Sequence, residues 1–235
     1  MDRRVFLGAG AMVAATTRLG GLTPGEWRER YRKELFESML PFWDRFGIDH
    51  QFGGVMHSLD YDRTVVSTRK LSWFQGRAIW IYSYLYNHFE KNPRYLEIAR
   101  KTKDFLLKNA PQGDGWWAEE FARDGKTTRA FQGDLYGMYF AAEGLQVYAW
   151  AARDEQAREL AFALMKKLWK RIGEPDFVCM DTEVAGQRTQ GLWMVNLNTA
   201  RQMVARWPDR EMQGILDESI DIVIRRHYNP EIGLN

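Results

Sequence analysis

The helical segments of this sequence come in pairs of similar length, and that pairing limits the possible folds more than any other feature. After residue 22 the chain reads as helical almost throughout. No strand alternates with the helices in the βαβ rhythm of a doubly wound sheet. The sequence therefore predicts an all-α fold built of helical hairpins. The predicted helices are a first segment ending at Phe46, followed by residues 69–90, 94–109, 134–152, 155–171, 189–207 and 209–227.

Two architectures can be built from helical hairpins, an open solenoid and a closed α/α ring. A solenoid normally shows a repeat of fixed length, and no such period is visible in this sequence. The connections between the helices alternate between short and long. A ring of six hairpins needs twelve helices, whereas about seven are predicted, so we expect the chain to be a fragment that forms part of such a ring.

Two of the long connections carry signals for short β-hairpins. Residues Gly47 to Thr68 read as a long loop with a short hairpin, because polarity alternates after Gly53-Gly54. Residues 111–129 contain Gly113-Asp114-Gly115 and Asp124-Gly125, which predict a second small hairpin on the rim. Loops beside a rigid set of helices often carry function.

Aromatic residues are the one unusual feature of the composition, at 14% of the 235 residues. They predict either an aromatic-rich core or a carbohydrate site, because flat rings stack on the apolar faces of sugars. A net charge of +2 without a basic block argues against nucleic-acid binding. The single cysteine, Cys179, excludes disulfides within the chain and a cysteine-based zinc site. No apolar run is long enough to predict a transmembrane helix.

The first 22 residues resemble an export signal. Arg3-Arg4-Val5-Phe6-Leu7 is a twin-arginine pair followed by apolar residues, and a short segment of small apolar residues follows. This pattern predicts export to the periplasm by the twin-arginine route. The alternative is an unstructured N-terminal extension of a cytoplasmic protein. Residues 23–235 are predicted to form a single domain, whose first helix begins at the capping signal Thr23-Pro24-Gly25-Glu26.

One face of the second predicted helix combines aromatic residues with a charge. Trp73, Arg77, Trp80 and Tyr84 are spaced at i, i+4, i+7 and i+11, so they share one side of the helix. An arginine in an aromatic stripe is either a buried, paired charge or a group that contacts a ligand. The spacing favours the ligand group and leaves the structural alternative open.

Several short motifs occur in a fixed order along the first half of the chain. They are Asp49-His50-Gln51-Phe52-Gly53-Gly54, Leu59-Asp60, Lys70 and Trp73-Phe74-Gln75-Gly76-Arg77, with Tyr136-Gly137-Met138-Tyr139-Phe140 later. Taken together they resemble the N-terminal part of the N-acyl-D-glucosamine 2-epimerase family, which includes cellobiose 2-epimerases and aldose–ketose isomerases. The resemblance implies an (α/α)6 barrel with a sugar site at one end of its inner helices.

The resemblance also implies a reaction. Members of this family remove the proton at C2 of an open-chain sugar and return it to C2 or to C1 through an enediolate. Arg77 matches the family arginine that contacts the oxygen where charge develops, and we expect it to be catalytic. Neither a cofactor nor a metal is implied, and the expected partners are a mono- or disaccharide and, for the full-length protein, a second copy. The expected substrate-binding residues are Trp73, Gln75, Trp80, Tyr136, Asn196 and Asn198.

Asn198 bears on the subfamily. Cellobiose-type and isomerase-type members have a histidine at this position, and this chain is more similar to the N-acylglucosamine type. The asparagine can hydrogen-bond a sugar hydroxyl, or it can cap or pack a helix.

The acid/base groups that the resemblance implies are histidines from later inner helices. The four histidines of this chain, His50, His57, His88 and His227, do not match them. We therefore expect the 235-residue chain to lack the acid/base pair.

Two alternatives stay open. One is an α/α-barrel glycoside or unsaturated-uronide hydrolase, which needs an acidic pair around the scissile bond. The other is a non-catalytic carbohydrate-binding fragment. The acidic candidates for a hydrolase are Asp114, Glu119, Glu120 and Asp134.

Overall fold

The computed structural model describes residues 21–179 and 184–233. The predicted twin-arginine stretch lies outside these residues. The chain divides into two compact units, one up to Arg45 and one from Phe46 onward. In the first unit, α1 (Pro24–Lys33) continues through Glu34–Met39 and Leu40–Phe42, partly as π-helix. The π-helical turn Trp43–Gly47 that follows contains the boundary between the two units.

The start of α1 follows the predicted capping signal. The Thr23 hydroxyl accepts a hydrogen bond from the Glu26 backbone N–H, while the Glu26 carboxylate accepts one from the Thr23 backbone N–H. This reciprocal pair satisfies two donors that a helix start leaves without an intrahelical partner.

The second unit consists of three helical hairpins. Its helices are α2 (Ser72–His88), α3 (Pro93–Asn109), α4 (Tyr136–Ala152), α5 (Glu155–Gly173), α6 (Gln190–Arg206) and α7 (Arg210–Ile222), the last continued by a π-helical turn at Val223–His227. The row α2, α4, α6 packs in sequence, and each of these helices also packs on the helix that follows it in the chain. Most of α4 is buried. The predicted all-α fold class is confirmed, with one row of inner helices and one of outer helices.

Both predicted rim hairpins are present, although their strands are short. β1 (Ser58–Leu59) pairs antiparallel with β2 (Val65–Ser67). β3 (Lys70–Leu71), β4 (Glu120–Phe121) and β5 (Thr127–Arg129) form a second antiparallel sheet. The second hairpin turns at the predicted Asp124-Gly125 pair, between β4 and β5. Because β3 runs directly into α2, this sheet joins the rim to the first inner helix.

None of the helices within the described ranges combines the length and the apolar character that a bilayer-spanning segment requires.

Glycines bring α2 and α4 into backbone contact. A Cβ added to Gly144 would lie 2.4 Å from the carbonyl oxygen of Gly76, and one added to Gly76 would lie 2.4 Å from the carbonyl carbon of Phe140. A Cβ on Gly137 would collide with the Ser72 side chain. Neither backbone can yield cheaply, so the two helices can approach this closely only without side chains at these positions.

Gly144→Ala should therefore destabilise the fold. We expect the free energy of unfolding to fall by about 1–3 kcal/mol or more, because the new methyl group overpacks a backbone contact. Urea-induced unfolding monitored by circular dichroism measures this. Gly214→Ala on α7 is the matched control, since a Cβ there meets nothing within 4 Å. It should raise stability by up to about 1 kcal/mol through helix propensity. Equal effects of the two substitutions would contradict the proposed contact.

Candidate functional site

Arg77 lies exposed on α2, with its guanidinium against an aromatic surface. The guanidinium carbon is 4.2 Å from the ring centroid of Phe140 and 5.2 Å from that of Trp73. Within the described part of the chain, Arg77 makes no ion pair and no hydrogen bond through its side chain. Its charge is thus held by cation–π contacts, and its planar N–H donors stay available to a ligand.

The aromatic surface beneath Arg77 is continuous, and we call it the aromatic wall. Trp73 stacks on Phe140 at 5.5 Å and on Tyr136 at 5.7 Å between ring centroids. Phe74 lies 6.2 Å from Trp73 on its other side and stacks on His57 at 4.2 Å. Burial and, to a lesser extent, Arg69 lower the pKa of His57, which favours a neutral imidazole in this stack. Phe140 is buried, so the half-buried rings of Trp73, Phe74 and Tyr136 are the part of the wall that the apolar face of a sugar can reach.

Glu143 adjoins the predicted residue Asn198, although the sequence did not predict a role for it. It lies on α4, half-buried, and its Oε1 accepts hydrogen bonds from Asn198 Nδ2 at 2.7 Å and from Gln202 Nε2 at 2.6 Å. Burial raises the pKa of Glu143, and the positive charges of Arg77 and Arg201 partly oppose that rise. A signal was present in the sequence, since Glu143 is the only charged residue between Tyr136 and Ala152.

Trp80 belongs to a polar network farther along α2. Its Nε1 donates to Gln202 Oε1 at 2.9 Å, and its ring stacks on Tyr84 at 4.7 Å. The same Gln202 oxygen accepts a hydrogen bond from Gln146 Nε2 at 3.2 Å. Seven residues of helix place Trp80 about 10 Å from Trp73 along the axis. Trp80 is therefore separated from the aromatic wall, although the spacing predicted that it would share one side of the helix with Trp73 and bind the sugar.

Gln75 and Asn196, both predicted to bind the sugar, lie inside the protein instead. Gln75 is fully buried; its Oε1 accepts from the Val55 N–H at 2.7 Å and its Nε2 donates to the Val55 carbonyl at 2.9 Å. Asn196 is also fully buried and donates to the Leu192 carbonyl at 2.9 Å. Because both side chains are fully buried, their amides hold the loop and the helix in place and do not reach the surface. Trp73, Arg77 and Tyr136 lie together through ring and cation–π contacts, and Asn198 joins them through its hydrogen bond to Glu143, on which Arg77 acts electrostatically. Arg77 and Asn198 are exposed, and we call the surface that they share with the aromatic wall the open face.

The remaining motif residues build the frame next to the site. Lys70 is fully buried and donates to Asp49 Oδ2 at 2.9 Å and to the carbonyls of Gly53 and Arg123, each at 2.7 Å. Arg123 Nε donates to the same carboxylate at 2.9 Å. Gly54, with φ of +78°, leaves room for the Gln75 amide, since a Cβ there would lie 2.6 Å from its Oε1. We call Asp49, Lys70 and Arg123 the buried clasp; it ties the early loop to the rim sheet.

No group of three or more histidine, cysteine, aspartate or glutamate side chains within residues 21–179 and 184–233 is arranged to hold a metal ion. The residues around the open face are instead suited to hydrogen bonding and ring stacking.

Residues 45–204 match the family model described as N-acylglucosamine 2-epimerase (GlcNAc 2-epimerase). The chain belongs to this family. The mouse N-acylglucosamine 2-epimerase is 36% identical over 86 residues, which are 36% of this chain and 20% of the mouse protein. The cellobiose 2-epimerase of Ruminococcus albus is 26% identical over 145 residues, 59% of this chain and 36% of that enzyme.

A solved structure shares the arrangement of the helices. The crystal structure of a sugar epimerase from a ruminal bacterium matches 86% of this chain and 56% of its own, with a TM-score of 0.76 and 20% sequence identity. At this identity the likeness establishes the fold, that of part of an (α/α)6 barrel. The chain thus matches little more than half the length of this structural relative, and a smaller share of the two enzymes.

Lys70→Met should strongly destabilise the protein. Removing the ammonium leaves the Asp49 carboxylate buried with one cation fewer, which costs about 3 kcal/mol or more. Chemical unfolding at pH 7 measures this, with Lys108→Met as the control because Lys108 is exposed. The control should stay within about 0.5 kcal/mol of the parent. A small effect of Lys70→Met would argue against the buried clasp.

The same clasp predicts an acid limit. Burial raises the pKa of Asp49, but hydrogen bonds from Arg123 and Lys70 outweigh it and bring the pKa to about 2. This value lies below the ordinary pKa of about 3.9 in an unfolded chain. The ionised Asp49 carboxylate therefore stabilises the folded state fully above about pH 4, and this contribution is lost as the pH falls from about 4 to about 2. Unfolding free energy measured across this range should decline in the parent. Asp49→Asn should be less stable at pH 7 and show a weaker decline.

Proposed function

We propose that the protein is a sugar 2-epimerase or aldose–ketose isomerase of the N-acylglucosamine 2-epimerase type, with Arg77 as a catalytic residue. The observation that carries this proposal is an arginine with unused donors, lying on an aromatic wall on the open face. An aromatic surface beside a planar cation suits a polyol that develops negative charge on an oxygen during reaction. The family to which the chain belongs supports the same assignment.

The proposed reaction starts from the open-chain sugar. A base removes the proton at C2, the C–H electron pair forms the C1–C2 double bond, and the former carbonyl oxygen becomes anionic. Arg77 stabilises that oxygen and the neighbouring O2 through parallel N–H donors, which fits the cis arrangement of an enediolate. An acid then returns a proton to the opposite face of C2, and the C1 carbonyl re-forms to give the epimer. For the ketose, the O2 proton first moves to O1, and the acid then protonates C1 as the C2 carbonyl forms. Trp73 and Tyr136 hold the apolar face of the substrate.

The acid/base groups are proposed to come from outside these 235 residues. His88 lies eleven residues beyond Arg77 on α2, about 16 Å along the helix, and its ring lies 4.2 Å from that of Tyr84 and 5.5 Å from that of Trp150. His227 lies in the π-helical turn after α7. His57 stacks on Phe74. His50 lies in the early loop beside Pro93 and Lys101 of α3. None of the four histidines is therefore assigned the role of removing the C2 proton.

The N-acylglucosamine type is favoured over the cellobiose type by Asn198. A histidine is implied at this position in cellobiose-type members, whereas here the asparagine amide is hydrogen-bonded to Glu143. The higher identity to the mouse enzyme than to the Ruminococcus albus enzyme agrees with this choice.

A hydrolase is disfavoured by the positions of the acidic candidates. Glu119 Oε1 accepts hydrogen bonds from the backbone N–H groups of Gln132 and Asp134. Glu120 is bound by Arg69 and Thr128 within the rim sheet. Asp114 Oδ1 accepts from the Trp116 backbone N–H, and Asp134 Oδ1 accepts from that of Tyr136. All four candidates thus hold groups of the rim or of the start of α4, which disfavours an acidic pair around a scissile bond.

Solvent exchange tests the reaction directly. The full-length protein is incubated with N-acetylmannosamine in D2O, and the sugar is analysed by NMR and mass spectrometry. We expect deuterium at C2 together with the 2-epimer, because proton abstraction exposes that position to solvent. Release of new reducing ends from a disaccharide without labelling at C2 would contradict the proposal and favour a hydrolase.

Arg77→Lys should reduce kcat by about a hundredfold or more, the scale for losing one preorganised donor that stabilises developing charge. Lysine keeps the positive charge but cannot bridge two adjacent oxygens. Steady-state epimerisation rates measure the effect. Arg100→Lys, an exposed position on α3 paired with Asp104, should leave the rate unchanged. Nearly normal kcat/KM in Arg77→Lys would exclude the assigned role.

A further inference from the structure

Glu143 is an unusual residue for its position. It is the only charged residue of α4, the most buried inner helix, yet it lies on the side of α4 that meets Asn198 and Gln202 of α6. Placing a carboxylate in an apolar helix costs free energy of desolvation. A neutral glutamine could fill the same space and offer an oxygen to the same two amides. Packing alone therefore does not account for the charge.

The hydrogen bonds of Glu143 use one end of the carboxylate. Both the Asn198 and Gln202 amides donate to Oε1. Within the described part of the chain, Oε2 accepts no hydrogen bond. The two amides fix the plane of the carboxylate, and Oε2 retains its capacity to accept from a ligand.

The surrounding charges are positive. Arg77 on α2 and Arg201 on α6 are both exposed, and both act electrostatically on Glu143. Two arginines around one open face would attract phosphates and carboxylates without selecting among sugars. The fixed carboxylate of Glu143, on which both arginines act, offsets that attraction. It can also accept a hydrogen bond from a sugar hydroxyl, whereas an ionised phosphate or carboxylate has no proton to donate there.

We propose that Glu143 is a specificity-determining residue that selects neutral sugars, by accepting a hydroxyl hydrogen bond at Oε2 and repelling a phosphate or carboxylate at the same place. This inference rests on the proposed function for the location of the substrate, beside Arg77 and the aromatic wall. It goes further in assigning the charge class of the substrate to one residue. Specificity of this kind comes both from attracting the hydroxyl group of the right sugar and from repelling the anionic group of the wrong one.

The test compares Glu143→Gln with the parent in the full-length protein. The probes are N-acetylmannosamine and N-acetylmannosamine 6-phosphate, and binding is followed by tryptophan fluorescence, since Trp73 lies in the wall. For the neutral sugar we expect the Kd and KM to rise about tenfold or more, the scale of losing a hydrogen bond to a charged group, with kcat within about threefold. For the phosphate we expect tighter binding, so that the neutral-to-anionic preference falls at least tenfold.

Two further variants separate specificity from folding. Glu143→Asp keeps the charge and should retain the preference for the neutral sugar, even if its affinity is lower. Glu218→Gln removes an exposed carboxylate from α7 and should change nothing. Thermal unfolding of each variant identifies any loss that comes from the fold. If Glu143→Gln is folded and keeps the parental preference, the inference is wrong.

Comparing sugar binding with C2 exchange distinguishes a failure of the inference about Glu143 from a failure of the proposed epimerase reaction. If the neutral sugar binds the parent, Glu143→Gln loses the preference, and no C2 exchange occurs in D2O, Glu143 keeps its role and the epimerase proposal fails. If C2 exchange occurs and the preference does not depend on Glu143, the epimerase proposal stands and the inference about Glu143 is overturned.

Discussion

The contact between α2 and α4 sets the geometry on which the site depends. Gly76 and Gly144 meet at a backbone separation that no side chain would allow. Arg77 directly follows the first of these glycines and Glu143 directly precedes the second. The positions of the two charges are thus fixed by the same contact that packs the helices. Any substitution that pushes the helices apart also moves Arg77 relative to the Glu143 carboxylate.

The motifs that identify the family are mostly structural. Asp49 and Lys70 form the buried clasp, and Gln75 bonds the backbone of Val55. Each of these groups is a buried polar side chain, and each would be costly without its partner. Of the Trp73–Arg77 stretch, Gln75 and Gly76 build the frame, while Trp73 and Arg77 lie at the open face. A resemblance in such motifs therefore indicates the fold more directly than it indicates which substrate is bound.

Local signals made the helices predictable from the sequence. The helix starts are set by side chains close in sequence: the Asn92 side chain accepts from the Arg94 N–H, that of Asp154 from Ala157, and that of Asp209 from Met212. The site was less predictable because its contacts are distant in sequence. Gln75 bonds a residue 20 positions earlier, and Glu143 is bonded by amides 55 and 59 positions later. Spacing along one helix cannot reveal which amide faces the core and which faces the open side.

Arg77 and Lys70 represent two solutions to placing a cation in an aromatic environment. Lys70 is fully buried against Phe105, and its charge is neutralised by Asp49 and satisfied by two carbonyls. Arg77 lies on Phe140 and Trp73 but remains exposed, with its donors unused by the described residues. In the first arrangement, the three N–H donors of the Lys70 ammonium all bind groups within the fold. The second keeps its donors for a ligand, because ring faces orient the guanidinium without occupying its N–H groups. An arginine oriented in this way needs little rearrangement when negative charge develops on a sugar oxygen, which is the condition for electrostatic stabilisation of an enediolate.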